Sequence, residues 1–255
     1  MELQLPTRGL VRYKSASQRA RVGTENWAAD NLFCPVCDSP RLEAQPTGMA
    51  SIDYLCPVCK APFQLKSQSK TFGARILDSA YSQMKRAITE NRTPNLYAIH
   101  YDLPRWRVLT VLLMPHFAFY LSAIECRKPL ALTARRAGWI GCNILLSKIP
   151  ADAKIPVVVN GEPLTNRSVR NAYRRLSPIE NLTVENRGWT LDVLNVVRSL
   201  NKSSFVLADV YAKADYLGQL HRNNSDVRDK IRQQLQVLRD MGLLKFLGGG
   251  AYRLV

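Results

Sequence analysis

The sequence predicts an α/β core with an embedded four-cysteine zinc site, followed by a winged-helix domain. Three observations predict it. The tetrapeptide Cys34-Pro35-Val36-Cys37 returns as Cys56-Pro57-Val58-Cys59 after 18 intervening residues. Helix-like and strand-like hydrophobic periods alternate through the first two thirds of the chain. The C-terminal quarter reads as three helices and then two short strands around Gly248-Gly249-Gly250.

Taken in order, Ser15-Ala16-Ser17-Gln18 has capping-box spacing. Ala16, Ala20, Trp27, Ala28 and Leu32 follow at helix-compatible intervals, so a helix leads into the first cysteine pair. Residues 51–55 and 62–67 suit two short strands, with the second cysteine pair at the bend of a hairpin. Ile76, Leu77, Ala80, Tyr81, Met84, Ala87 and Ile88 recur at i, i+3 and i+4, the signature of an amphipathic helix covering a sheet. Residues 96–101 and 106–114 are rich in β-branched and aromatic side chains, the second apolar enough for a central strand, and 157–159 add another. From 162 to 187 the apolar pattern loosens while Asn, Arg, Ser and Pro accumulate, which reads as a linker and divides the chain into domains 1–185 and 186–255.

With 255 residues, 46% of them hydrophobic, the chain can bury one moderate core and a smaller satellite. A formal charge of +16 surrounds it with a positive potential that draws polyanions, so nucleic acid is the expected partner. No apolar run is long enough to span a membrane and no signal region opens the chain, so a cytoplasmic protein is expected; a monomer is the expected state. Cys126 and Cys142, outside the paired spacings, read as buried free thiols. His100, His116 and His221 are far apart in sequence and read as structural.

Cysteines three positions apart can both point at one ion, and two such pairs complete a tetrahedral thiolate shell. The spacing lies within the zinc-ribbon range, although two disulfides or four unrelated thiols would carry the same letters. Four protein ligands, Cys34, Cys37, Cys56 and Cys59, leave no open position, so this zinc would brace the fold.

Either side of the second cysteine pair, strand alternation puts Gln64 and Lys66 on one face, about 6.6 Å apart along the chain. Asp53 can face them from the neighbouring strand. A carboxylate, an amide oxygen, the carbonyl of Leu65 and a lysine resemble the constellation of the PD-(D/E)XK nuclease superfamily, which holds Mg²⁺ and positions an attacking water. Solvated strand residues are the plainer reading of the same three side chains. A strand hairpin between two helices, in a strongly basic chain, is the setting such a nuclease core requires.

Longer stretches resemble the DpnI-like, methyl-directed type II restriction endonucleases. They are Arg127-Lys128-Pro129-Leu130-Ala131, Thr133-Ala134-Arg135-Arg136-Ala137-Gly138-Trp139-Ile140-Gly141-Cys142-Asn143 and Lys230-Ile231-Arg232-Gln233-Gln234-Leu235-Gln236-Val237-Leu238-Arg239-Asp240, with both cysteine pairs and Leu65-Lys66-Ser67. The segments 31–48 and 150–185 diverge. The resemblance implies an endonuclease that cuts double-stranded DNA at GATC when its adenine is N6-methylated, with catalytic Mg²⁺ and a separate structural zinc. It assigns catalytic positions to Asp53 and Lys66. Gln64 departs from the family's Glu, and a neutral oxygen attracts a hard cation less strongly than a carboxylate.

Arg135, Arg136 and Trp139 suit phosphate contacts and packing against a base methyl group, while composition alone reads Trp139 as a core residue beside surface arginines. The resemblance favours a methyladenine pocket lined by Trp139. In the third C-terminal helix Val227, Ile231, Leu235 and Leu238 form the apolar side, and Arg228, Arg232, Gln233 and Gln236 are placed to read base edges. Lys245 and Arg253 on the flanking strands can reach phosphate from a glycine-turned wing. From 189 to 255 there are ten basic and six acidic residues, a mild surplus for DNA. Two rival readings are a non-catalytic zinc-ribbon and winged-helix regulator or methyl-DNA reader, and an RNA-binding zinc protein preferring single strands or A-form duplex.

Overall fold

The computed structural model describes residues 1–46 and 52–255. The chain runs through α1 (Ala16–Asn31), β1 (Glu43–Ala44), β2 (Tyr54–Leu55), β3 (Pro62–Gln68), β4 (Arg75–Ala80), α2 (Tyr81–Thr89), β5 (Asn95–Asp102) and β6 (Arg107–Met114). It continues through β7 (Ile124–Cys126), β8 (Gly141–Leu145), β9 (Ile155–Val159), β10 (Glu162–Pro163), α3 (Asn166–Leu176) and α4 (Val184–Ser199). Last come β11 (Ser204–Val206), α5 (Leu207–Tyr211), α6 (Ala214–Leu220), α7 (Val227–Asp240), β12 (Leu244–Gly248) and β13 (Ala251–Leu254). These elements form two compact units interleaved along the chain. One comprises Met1–Ile76, Thr93–His116 and Lys154–Arg174; the other comprises Leu77–Arg92, Phe117–Ala153 and Arg175–Val255.

The first unit is a mixed seven-stranded sheet in the order β1-β2-β3-β5-β6-β9-β10. Its centre is β5, buried along almost its whole length, which runs parallel to β3 and antiparallel to β6. Burial on both faces explains why β5 and β6 read as nearly continuous apolar runs. Helix α1 covers the sheet with Thr24, Trp27 and Ala28, and the Trp27 indole donates to Glu2 O at 2.8 Å. Gly23 permits the close approach there, because a Cβ on it would come within 3.2 Å of the Trp106 ring. Ser15 does start this helix, but its hydroxyl pairs with Ser17 Oγ at 2.8 Å and makes no cap, so the capping-box expectation fails.

Two further expectations are corrected. Residues 75–80 form β4, since Ile76 and Asp78 are buried while Arg75 and Leu77 are exposed, an alternation of period two; the helix starts only at Tyr81. The linker expected over 162–187 contains β10 and the eleven-residue helix α3. Its apolar stripe, Val169, Tyr173 and Leu176, is hidden in the sequence by Arg167, Arg170, Arg174 and Arg175. The first expected strand of the hairpin begins at Ser51, which lies outside the described residues; β2 is present from Tyr54.

In the second unit β4, β8 and β7 form a three-stranded sheet, with α2 against β8. Cys142 is buried in β8 but Cys126, its register partner on β7, is exposed, which corrects the expectation of two buried thiols. The C-terminal part is helical with a three-stranded sheet in the order β11-β13-β12. The expected second helix is split into α5 and α6. Gly248, Gly249 and Gly250 all have positive φ, so only glycine turns the β12–β13 wing without strain. Buried Arg187 ties α4 to its surroundings by donating to Asn91 Oδ1 at 2.7 Å and to the Glu180 and Leu182 carbonyls. Among the described residues no helix is long and apolar enough to cross a membrane.

Candidate functional site

The register Tyr54↔Phe63, extended by one residue, sets Asp53 opposite Gln64. The Asp53 N–H donates to Phe63 O at 2.9 Å, and Asp53 Oδ2 accepts the Leu65 N–H at 2.7 Å. The carboxylate thus docks on the edge of β3 where β2 has ended. Because the N–H and C=O of one strand residue point to the same side, the Leu65 carbonyl faces that edge too. Gln64 is 7% exposed, Lys66 half-buried, and their side chains share the opposite face from Phe63 and Leu65.

The Asp53 carboxylate, the Leu65 carbonyl and the Gln64 amide offer oxygen, the donor type that fits Mg²⁺ over thiophilic metals. A residue missed by sequence reading is coupled to Asp53 through its charge. Burial pushes the carboxyl of Glu25 on α1 upward; Arg21 opposes the rise, and the negative charge of nearby Asp53 adds to it. Glu25 O accepts the Tyr54 hydroxyl at 2.7 Å, and the adjacent Thr24 Oγ1 lies 3.0 Å from Ser67 Oγ, so α1 is pinned beside the same strand ends. In the sequence Glu25 reads only as the partner of Arg21, an ordinary i, i+4 surface pair whose ions sit 3.1 Å apart.

The four cysteine sulfurs lie within 4.8 Å of one another and can hold a metal ion. Cys34 and Cys59 sulfurs are 3.6 Å apart and those of Cys37 and Cys56 are 3.5 Å apart, close to the edge of about 3.8 Å of a tetrahedron with zinc–sulfur bonds near 2.3 Å. Burial acts upward on all three perturbed thiols. Cys34 and Cys59 stay raised, whereas backbone N–H groups of Cys59 and Val58 and the Cys37 thiol bring Cys56 down to about 6. Arg170 on α3 completes the knuckle: its guanidinium donates to Cys34 O at 3.0 Å and Ser39 O at 2.9 Å and lies over the Phe33 ring. Sequence reading placed Arg170 in a linker, and no local signal connects it to cysteines 136 positions away.

In the second unit Trp139 closes the long β7–β8 loop and is half-buried. Its ring is seated against Gly141, where a Cβ would come within 2.8 Å, and the Arg136 guanidinium covers it at 4.5 Å from the ring centre. Arg135 is exposed beside it. On α7, Ile231, Gln234, Leu235 and Leu238 face inward, and Arg228, Arg232, Gln233 and Gln236 are exposed. The guanidiniums of Arg228 and Arg232 both lie over the Tyr211 ring of α5, at 5.4 and 5.9 Å, which limits their freedom before any ligand arrives. Lys245 and Arg253 are directly opposed across the wing and exposed. Of the three histidines, His221 pairs with buried Asp192 at 2.9 Å and stacks on Trp189. These rings border a cleft of about 540 Å³ that includes none of the site residues expected from sequence.

A mixed-sheet core, a four-cysteine cluster that can hold a metal ion and a helical unit with a glycine-turned wing are the architecture of a DNA-binding protein. Residues 1–182 match the DpnI, Dam-replacing family, and residues 185–254 match the Dam-replacing HTH domain. The chain belongs to the DpnI family, and this membership supports a methylation-dependent restriction enzyme.

Proposed function

We propose that this protein is a type II site-specific endonuclease of the PD-(D/E)XK kind, cutting duplex DNA at GATC sites that carry N6-methyladenine. The observation that carries the reading is the docking of the Asp53 carboxylate on the edge of β3 through the Leu65 N–H, with Gln64 opposite Asp53 in register. The oxygens of Asp53, Gln64 and the Leu65 carbonyl would hold Mg²⁺. When bound, the ion supplies fixed positive charge where negative charge builds on the phosphoryl oxygens. The Leu65 N–H fixes one carboxylate oxygen of Asp53, so the group is oriented before substrate binds. Lys66 places its ammonium on the Gln64 face, where it orients the attacking water and answers the charge of the scissile phosphate. Glu25 adds negative potential that favours a cation at Asp53, compensating in part for the amide at Gln64.

Zinc at the four cysteines is structural in this reading. Domain 1–185 cuts and domain 186–255 reads, and each checks the methylated site. Trp139 receives the adenine methyl group while Arg135 and Arg136 hold phosphates. Arg228, Arg232, Gln233 and Gln236 read base edges, and Lys245 and Arg253 grip the backbone. The enzyme acts in the cytoplasm as a monomer.

Gln64 favours one rival, a methyl-DNA reader that binds without cutting. Incubating the protein with matched methylated and unmethylated GATC plasmids, with and without Mg²⁺, separates the two. Metal-dependent scission of the methylated plasmid alone supports the endonuclease; retention of that plasmid without scission supports the reader.

A further inference from the structure

The tip of the β7–β8 loop violates the ordinary chemistry of turns. Ala134 N donates to Ala131 O at 2.9 Å, closing a four-residue turn whose central residues are Leu132 and Thr133. Exposed turns favour Gly, Pro, Asn, Asp or Ser at such places, because these residues supply the required dihedrals or solvate the bend. Here the apex is a leucine that is 91% exposed. Single exposed apolar residues are common and need no explanation by themselves. This one differs in its setting.

The loop that presents Leu132 is tied at its neck. Leu130 N donates to Trp139 O at 2.9 Å, Gly138 N to Leu130 O at 3.0 Å, and Arg127 N to Gly141 O at 3.0 Å. Gly138, with φ +75°, permits the second bend that brings Trp139 back to the neck. In the chain Arg127 and Lys128 precede the apex and Arg135 and Arg136 follow it, and no acidic residue occurs from 127 to 151. An apolar side chain is therefore held at the end of a braced, purely cationic arm, directed away from the protein.

We propose that Leu132 is a wedge that enters between neighbouring base pairs of the duplex gripped by this loop and opens the step beside the methylated adenine. Unstacking one step costs on the order of a few kcal/mol, and proteins that insert Leu, Ile, Met or Phe offset it with the backbone contacts that the opened duplex permits. The four cations of the arm supply those contacts. Their phosphate grip holds the leucine against the stack, where burying its side chain is favourable and leaving it in water is not. The partner is duplex DNA; a protein-docking role for the same leucine would not need the cations. Opening a step would bring the methylated edge within reach of Trp139, three residues beyond Arg136. This inference rests on the reading of the loop as a DNA contact.

The test uses the full-length protein with duplexes containing one methylated GATC site and 2-aminopurine at successive positions through and beside it, without divalent cation so that nothing is cut. Binding is followed by fluorescence anisotropy and stacking by 2-aminopurine emission. Wild-type protein should raise emission at one step, Leu132→Met should retain the rise, and Leu132→Ala should lose it while keeping the salt dependence of binding. Emission that stays flat at every position with bound wild-type protein, or a rise that persists in Leu132→Ala, overturns the wedge. Failure of Arg135→Ala and Arg136→Ala together to weaken binding at all would remove the loop from the DNA and the wedge with it. Leu132 is nearly fully exposed, so its substitution should leave the thermal midpoint unchanged.

Discussion

Asp53 Oδ2 accepts the backbone N–H of Leu65 at 2.7 Å, so an acidic side chain completes the hydrogen bonding of β3 at the point where its neighbouring strand ends. One carboxylate thereby serves both the sheet and the proposed metal site. The two uses come apart on mutation.

Asp53→Asn keeps an oxygen that can accept the Leu65 N–H but removes the charge. Its thermal midpoint should stay near wild type while cleavage falls by roughly 10²-fold or more. Asp53→Ala loses both and should also destabilise by about 1–2 kcal/mol. Chemical denaturation alongside plasmid cleavage checks the pair; equal stability loss in both variants would contradict the docking role.

Gln64→Glu restores a second carboxylate next to Asp53. Cleavage by this variant should reach half its maximum at a several-fold lower Mg²⁺ concentration, because ligand charge sets affinity for a hard cation. A Mg²⁺ titration of cleavage rate decides it. An unchanged or raised metal requirement would place Gln64 outside the coordination shell.

Removing zinc with a chelator should lower the thermal midpoint and release one equivalent of metal per chain. Arg170→Ala should loosen the same knuckle from outside, since the Cys34 and Ser39 carbonyls lose a charged donor; a cost of about 2–3 kcal/mol and faster zinc loss are expected. Metal release timed with a chromogenic chelator reads the effect. Loss at the wild-type rate would show that Arg170 does not brace the site.

Burial holds the His100 imidazole below its usual range, with Asp102 opposing. A lowered folded value means that the unfolded chain binds more protons between the two values, so this contribution to stability is complete above about pH 6.5 and shrinks as the pH falls through that region. His100→Gln should therefore flatten the acid side of the stability curve. Urea denaturation of both proteins from pH 7.5 to 5 measures it, and parallel curves would refute the assignment.

Much of this site is legible in the sequence because its parts are close together. Cysteine pairs separated by two residues and strand residues separated by one carry fixed geometry, so the cluster and the Gln64–Lys66 face follow from spacing alone. The C-terminal helices are legible because Ile231, Leu235 and Leu238 keep strict helical intervals. What stays hidden depends on distant chain. Arg170 reaches Cys34 through the fold, and Glu25 is coupled to the charge of Asp53 where Thr24 and Tyr54 pin α1 to the strand ends. Residues 75–80 mislead because Ile76, Leu77 and Ala80 satisfy a helical interval while their burial alternates as a strand; the sheet partner that decides between them is β8, far along the sequence.

Cleavage of matched GATC plasmids bears most directly on the central claim. With Mg²⁺, wild-type protein should linearise or fragment the adenine-methylated plasmid, leave the unmethylated one intact, and do neither once Asp53 is replaced by Ala. Cutting that ignores methylation, or persists in Asp53→Ala at the wild-type rate, would contradict it.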